Sequence, residues 1–141
     1  MKEIVELLHQ GGYSCVISNK EIRTFTQRGI ADLYQLLNND TAFLAGASIA
    51  DKVVGKAAAA LMILGKVKEL YTDIISEPAL ALLNESDIKV DFGKVVPFIE
   101  NRDKTDWCPI EKMCYQEKTS ETIFPLIKEF ITKMQQRSSN T

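Results

Sequence analysis

The chain predicts an α/β fold built on a mixed sheet. Three observations carry it: two short β-rich runs near the N-terminus are split by a polar tripeptide, helical and strand-like segments alternate from Val67 onward, and a helical period closes the chain. At 141 residues and 15.8 kDa it fits one domain with one core. We place that domain at residues 1–136, followed by a frayed tail at 137–141.

Lys2 to His9 sets Ile4, Leu7 and Leu8 on one helical face, and Gly11-Gly12 stops it. Tyr13 to Ser18 and Ile22 to Thr26 read as antiparallel strands turned by Asn19-Lys20-Glu21. Ile30, Leu33, Leu36 and Leu37 repeat at helical spacing until Asn38-Asn39-Asp40. Ala42 to Ala47 reads as a short strand, and a helix is expected from about Ala50 to Leu64 with Gly65 as its stop. That helix is apolar nearly all round, which belongs between layers of a domain. Val67 to Ile75 is a central strand, Glu77 to Asn84 a helix with Pro78 in its first turn, and Ile88 to Phe92 a further strand. Lys94 to Glu100 is either a short strand or an extended loop held to an edge by Pro97. Cys108-Pro109-Ile110-Glu111 starts a short helix, and Ser120 to Gln136 forms the last one, with Pro125 tolerated in its early turns.

Composition narrows the function. Seventeen basic against nineteen acidic residues give a net charge of −2, so no global field draws in nucleic acid or an anionic membrane. Glu3 and Glu6 interrupt the N-terminal apolar stretch, which therefore lacks a signal-peptide core, and no run approaches the roughly 20 residues of a membrane span. Cys15, Cys108 and Cys114 are odd in number and irregular in spacing, which suits free thiols in a reducing cytoplasm.

The stretch from Ser48 to Leu82, an alanine-rich helix, a strand, and then Ser76-Glu77-Pro78 opening another helix, resembles the cytidine-deaminase-like fold. The whole chain is also similar to a small bacterial family assigned to that superfamily and without an agreed activity, through the phrases YSCVIS, ADKVVGKAAAAL and NR…CPIE. The resemblance implies a three-layer α/β/α sandwich. In the superfamily a His-Ala-Glu or Cys-Ala-Glu motif and a Pro-Cys-x-x-Cys motif hold a catalytic zinc. The corresponding positions here are Ile49-Ala50-Asp51 and Pro78-Ala79-Leu80-Ala81-Leu82, so the resemblance implies no metal ligands and no zinc deamination. No other cofactor is implied.

Lys56 is the leading candidate for a binding role, because it sits inside the apolar VVGKAAAALMIL, where a charge must be paired or hydrated. With Lys52 one turn earlier on the expected helix, two ammonium groups could hold a phosphate or carboxylate near its N-terminus. Alternatively, Lys56 reaches solvent along its stem or pairs with an acid such as Asp73. Asp51 is a helix cap or a general base facing the same pocket. Gly46-Ala47-Ser48 is a small-residue turn without P-loop spacing. Ser76 and Glu77 stand where a strand meets a helix, the edge at which open α/β sheets bind ligands, and are otherwise a plain cap. Cys108 at a helix start is a candidate nucleophile; the six-residue step to Cys114 turns the second thiol roughly 120° away and excludes a C-x-x-C pair. Arg102, beside Asn101 and with Glu111, either fixes a loop or covers a phosphate. His9, the only histidine, is expected to be exposed, and Trp107 and Tyr115 either pack the last helix or stack on a base.

Two functions follow. In the first, the protein binds, or acts without metal on, a nucleotide-like phosphate-bearing small molecule, with Asp51 and Cys108 as the reactive groups and Lys52, Lys56, Ser76, Glu77, Arg102 and Glu111 as ligand contacts. In the second, it is a non-catalytic interaction module, a homo-oligomer in which those lysines are structural.

Overall fold

The computed structural model describes residues 1–27, 30–100 and 104–139, with side chains through Gln136. Its elements are α1 (Lys2–Gly11), β1 (Cys15–Asn19), β2 (Glu21–Phe25), α2 (Ala31–Asn39), α3 (Thr41–Leu44), β3 (Ser48–Val54), α4 (Lys56–Leu64), β4 (Glu69–Ser76), α5 (Glu77–Asn84), β5 (Lys89–Val96), α6 (Pro109–Cys114) and α7 (Ser120–Ser139). The five strands form one mixed sheet in the order β2-β1-β3-β4-β5. β1 is antiparallel to both its neighbours, whereas β3, β4 and β5 run parallel.

Most elements form where the residue pattern predicts, and the departures have physical causes. The hairpin is tighter than a three-residue turn: Asn19 pairs with Glu21, leaving Lys20 alone at the bend with φ 67°. Ala42 to Ala47 is not a strand, because Thr41–Leu44 closes one helical turn that buries Phe43 and Leu44. A run this short cannot be assigned by period.

The largest correction concerns the helix expected from Ala50. Its first part is strand β3, and α4 begins only at Lys56, after Gly55 in an extended conformation. Ile49 faces one apolar layer and Ala50 the other, so this strand is apolar on successive residues, as strands buried on both faces are. At the chain's end, α7 continues to Ser139, past the expected frayed segment's start; Asn140 and Thr141 lie outside the described residues. The expected strand at Ile88–Phe92 and the start of Lys94–Glu100 form a single strand, β5, which begins at Lys89 and ends at Val96 before Pro97.

Helices cover the two faces unequally. On one face Ile17, Ile49, Leu70 and Ile75 pack beneath α4, which touches α2, α5, α6 and α7 and is buried from Lys56 to Met62. On the other, α1 sets Ile4 and Leu8 against Val16 and Ala50, packing on β1 and β3. Asp91, Gly93 and Lys94 of β5 remain exposed.

A crease crosses the parallel strands. Asp51, Thr72 and Phe92 stand in one paired row and Val53, Ile74 and Lys94 in another, but the row between them, Lys52, Asp73 and Gly93, is unpaired. Alternation resets there: Ile49 and Val54, Leu70 and Ile75, and Val90 and Val95 all face the α4 layer although each pair is five residues apart. Gly93 permits this, since a Cβ there would sit 2.9 Å from the carbonyl oxygen of Asp73. Among the described residues, no helix is long and apolar enough to cross a membrane.

Candidate functional site

Lys56 and Glu111 come together. Glu111 lies in the first turn of α6, and its carboxylate accepts hydrogen bonds from the backbone N–H groups of Lys56 and, at 3.2 Å, of Ala57. It therefore caps the N-terminus of α4 from 55 positions away. Gly55 makes room for it: a Cβ there would meet Glu111 Oε1 at 1.8 Å. In return Lys56 Nζ donates to the carbonyl oxygens of Tyr115, at 2.9 Å, and Glu117, just past the end of α6. Each helix thus supplies the cap of the other. Burial pushes the Glu111 carboxyl above its usual range, against the two amides and the Lys56 charge, which favour ionisation. Lys56 is satisfied by carbonyls rather than by Asp73, and its ammonium is engaged inside the fold.

Lys52 does not share a helix face with Lys56. It lies on β3, exposed, on the crease row, and the face on which the two lysines were expected to meet does not exist. Ser76 is the cap of α5, its Oγ accepting from Ala79 N–H at 3.2 Å, and Glu77 opens that helix on the exposed side. Cys108 is the half-buried N-cap of α6 and Cys114 is buried at its other end; burial and the nearby Glu111 charge push the Cys114 thiol up to about 12. Arg102 and Asn101 lie outside the described residues.

Asp51 stands on a strand rather than at a helix start. It caps nothing: it stands within β3 directly opposite Cys15 of β1, half-buried on the α4 side of the sheet. Its hydrogen bonds come from the Val53 N–H at 3.4 Å, the Lys52 N–H and the Cys15 thiol. No cation pairs with it among the described residues, and desolvation lifts its pKa to about 7, to which the charge of Asp73 adds. Cys15, buried beneath, has its thiol pushed well above the normal range by burial, then by Asp51 and by Asp32 of α2. Asp32 is itself raised by desolvation. Two carboxyls raised by desolvation thus act on one buried thiol beside the middle of β3.

A second polar cluster carries no sequence signal. His9, at the end of α1, places Nε2 2.8 Å from Asp73 Oδ1, and the Tyr71 hydroxyl donates to the same oxygen at 2.8 Å. His9 is exposed, as expected, yet paired, across 64 positions. No local motif could announce a contact between the end of one helix and the crease of a distant strand. Trp107 stacks on Phe98 and meets Tyr115 edge-on, both at 4.8 Å between centroids, beside an open depression of about 590 Å³. Its ring is engaged in packing.

These features define a mixed α/β sandwich whose helical layers are unequal and whose central strand carries a desolvated carboxyl. The chain belongs to the TM1506 family, a domain of unknown function also called DUF1893, whose family model matches residues 3–131. It is similar to the crystal structure of a DUF1893 family protein, TM1506, from Thermotoga maritima, with a TM-score of 0.84 and 24% identity over 91% of this chain and 87% of that one. No curated protein matches.

Proposed function

We propose that this domain binds a small, nucleotide-like molecule and that Asp51 is the carboxyl that reads it. The observation that carries this reading is a carboxyl within the sheet that no cation neutralises among the described residues and that holds its proton near neutrality. Such a group can donate one hydrogen bond and accept another, matching the polar edge of a heterocyclic base, and it can exchange a proton at physiological pH. Asp32, whose charge also reaches the Cys15 thiol, keeps this side of the sheet acidic, so the ligand's uncharged or donor-bearing edge belongs here and its phosphate elsewhere. Lys52 is the exposed lysine of this strand that remains available for an anion.

A relationship to the cytidine-deaminase-like fold is part of the proposal, and it changes register. The helix starts in question carry Lys56-Ala57 and Pro78-Ala79-Leu80-Ala81-Leu82, while Asp51 precedes α4 on a strand. Those positions offer neither thiolate nor imidazole, and the carboxylate at the start of α4, Glu111, already accepts from two amides. That donor set does not fit a zinc ion.

The alternative, a non-catalytic interaction module, draws on the engagement of Lys56 and Glu111 within the fold. Thermal unfolding against nucleosides, nucleotides and sugar phosphates separates the two. A midpoint rise with a nucleoside or nucleotide that is lost in Asp51→Asn and retained in Lys56→Met is the expected result. No shift with any compound, or a shift indifferent to Asp51→Asn, overturns the reading.

A further inference from the structure

We propose that β5 is a dimerisation edge, on which the same strand of a second copy of this chain adds in antiparallel register across a twofold axis between Phe92 and Gly93. β5 is the last strand of the sheet, eight residues long, with Asp91, Phe92, Gly93 and Lys94 all exposed. The opposite edge is less open: β2 has five residues, and its Arg23 is held by Glu21 and Asp40 with its guanidinium 3.9 Å over the ring of Phe43.

The partner is argued from charge and from the crease. About the proposed axis, Asp91 of each strand stands opposite Lys94 of the other, Val90 opposite Val95, and Phe92 opposite Gly93. Opposed residues of an antiparallel pair must lie on the same face. In a regular strand, residues three or five apart lie on opposite faces. The reset at Gly93 removes that obstacle: Val90 and Val95 both face the α4 layer, which puts Asp91 and Lys94 together on the other face. There Asp91 pairs in register with Tyr71 and Lys94 with Ile74. The ring of Phe92, 38% exposed, would lie across the bare backbone of the partner's Gly93.

Lysines on an edge normally repel an added strand. Here they select one. A slip of two residues one way sets Lys89 against Lys94, a slip the other way brings Pro97 into the ladder, and a parallel pairing in register sets every lysine against its own copy. The antiparallel register about Phe92 and Gly93 pairs both acids with lysines along the whole of β5, whereas a register about Val90, which sets Asp91 against Lys89, engages only the three residues Lys89 to Asp91. The inference is independent of Asp51, which lies two strands away.

Sedimentation equilibrium over a concentration series reaching about 1 mM tests it, since an interface one strand wide is small beside the about 1,200–2,000 Å² of stable complexes. The native chain is expected to approach twice 15.8 kDa. Asp91→Lys and Lys94→Asp, each confirmed folded by circular dichroism, are expected to weaken self-association about tenfold or more, because each sets two like pairs face to face. An equimolar mixture of the two variants restores both opposite-charge pairs and is expected to form a heterodimer. A native chain that stays monomeric throughout, single variants that dimerise like the native chain, or a mixture of folded variants that does not reassociate would each overturn the proposal.

Discussion

Glu111 and Asp51 are two acids with desolvated carboxyl groups on the same side of one sheet, and they sit in opposite circumstances. Glu111 has two amides at the start of α4, a lysine beside it and a glycine shaped to admit it. Asp51 has a thiol, two amides of its own strand and acidic neighbours, with no cation paired to it among the described residues. Both are raised by burial, but only Glu111 has compensation built around it. The difference teaches that burial alone does not mark a functional acid. A carboxyl whose surroundings are arranged for its charge is part of the scaffold, and one whose surroundings disfavour its charge is available for chemistry.

The sharpest way to break this comparison is to remove the compensated acid. Glu111→Ala leaves two buried amides uncapped and the Lys56 ammonium without its nearby negative charge, so a loss of about 3 kcal/mol is expected in urea unfolding. Glu111→Gln keeps an acceptor and should lose about 1 kcal/mol. If Glu111→Ala unfolds like the native chain, α4 does not depend on this cap and the distinction between the two acids fails.

Asp51 should behave in the reverse sense. Its folded pKa of about 7 lies above the unfolded value of about 4, so the folded state holds the extra proton between those limits. Its contribution to stability is therefore fully present below pH 4 and is lost as pH rises through 7. Asp51→Asn should flatten that part of the stability–pH profile and make the protein more stable than the native chain at pH 8, by about 2 kcal/mol once partial solvation is allowed for. A variant less stable than the native chain at pH 8 would mean that the carboxylate has a partner that offsets its burial.

Much of the fold was legible, and the reason is local. The amphipathic period of α1, the two β-rich runs and the proline and serine at the start of α5 each encode an element within a few residues. What was not legible depends on distant partners. The segment Ser48–Val54 became a strand because β1 and β4 flank it, and its apolar continuity, which indicates burial on both faces, looks the same as the start of a buried helix. Misplacing that boundary moved Asp51 onto a helix start and Lys52 onto the face of Lys56. A lysine inside an apolar run requires a partner, which the sequence shows for Lys56 without showing which groups provide it. The reciprocal capping of Lys56 and Glu111 joins positions 55 residues apart, and no spacing rule reaches that far.

Asp73 extends the comparison to a carboxylate that is neither buried nor uncompensated. It accepts from both His9 and Tyr71, with its side chain and that of His9 one-third to one-half exposed, so solvent shares in its charge. His9→Ala is accordingly expected to lower stability by only about 0.5 kcal/mol, the smallest effect of the three acids' surroundings. Asp73→Asn carries a second readout. Its charge is one of the influences that raise Asp51, acting through the sheet from the neighbouring strand. Removing that charge should move the Asp51 midpoint slightly downward, followed by the carboxyl carbon resonance across a pH titration. An unmoved midpoint would mean that the two faces of the crease are electrically independent, and desolvation by the α4 layer would then account for the state of Asp51 without help from the far side of the sheet.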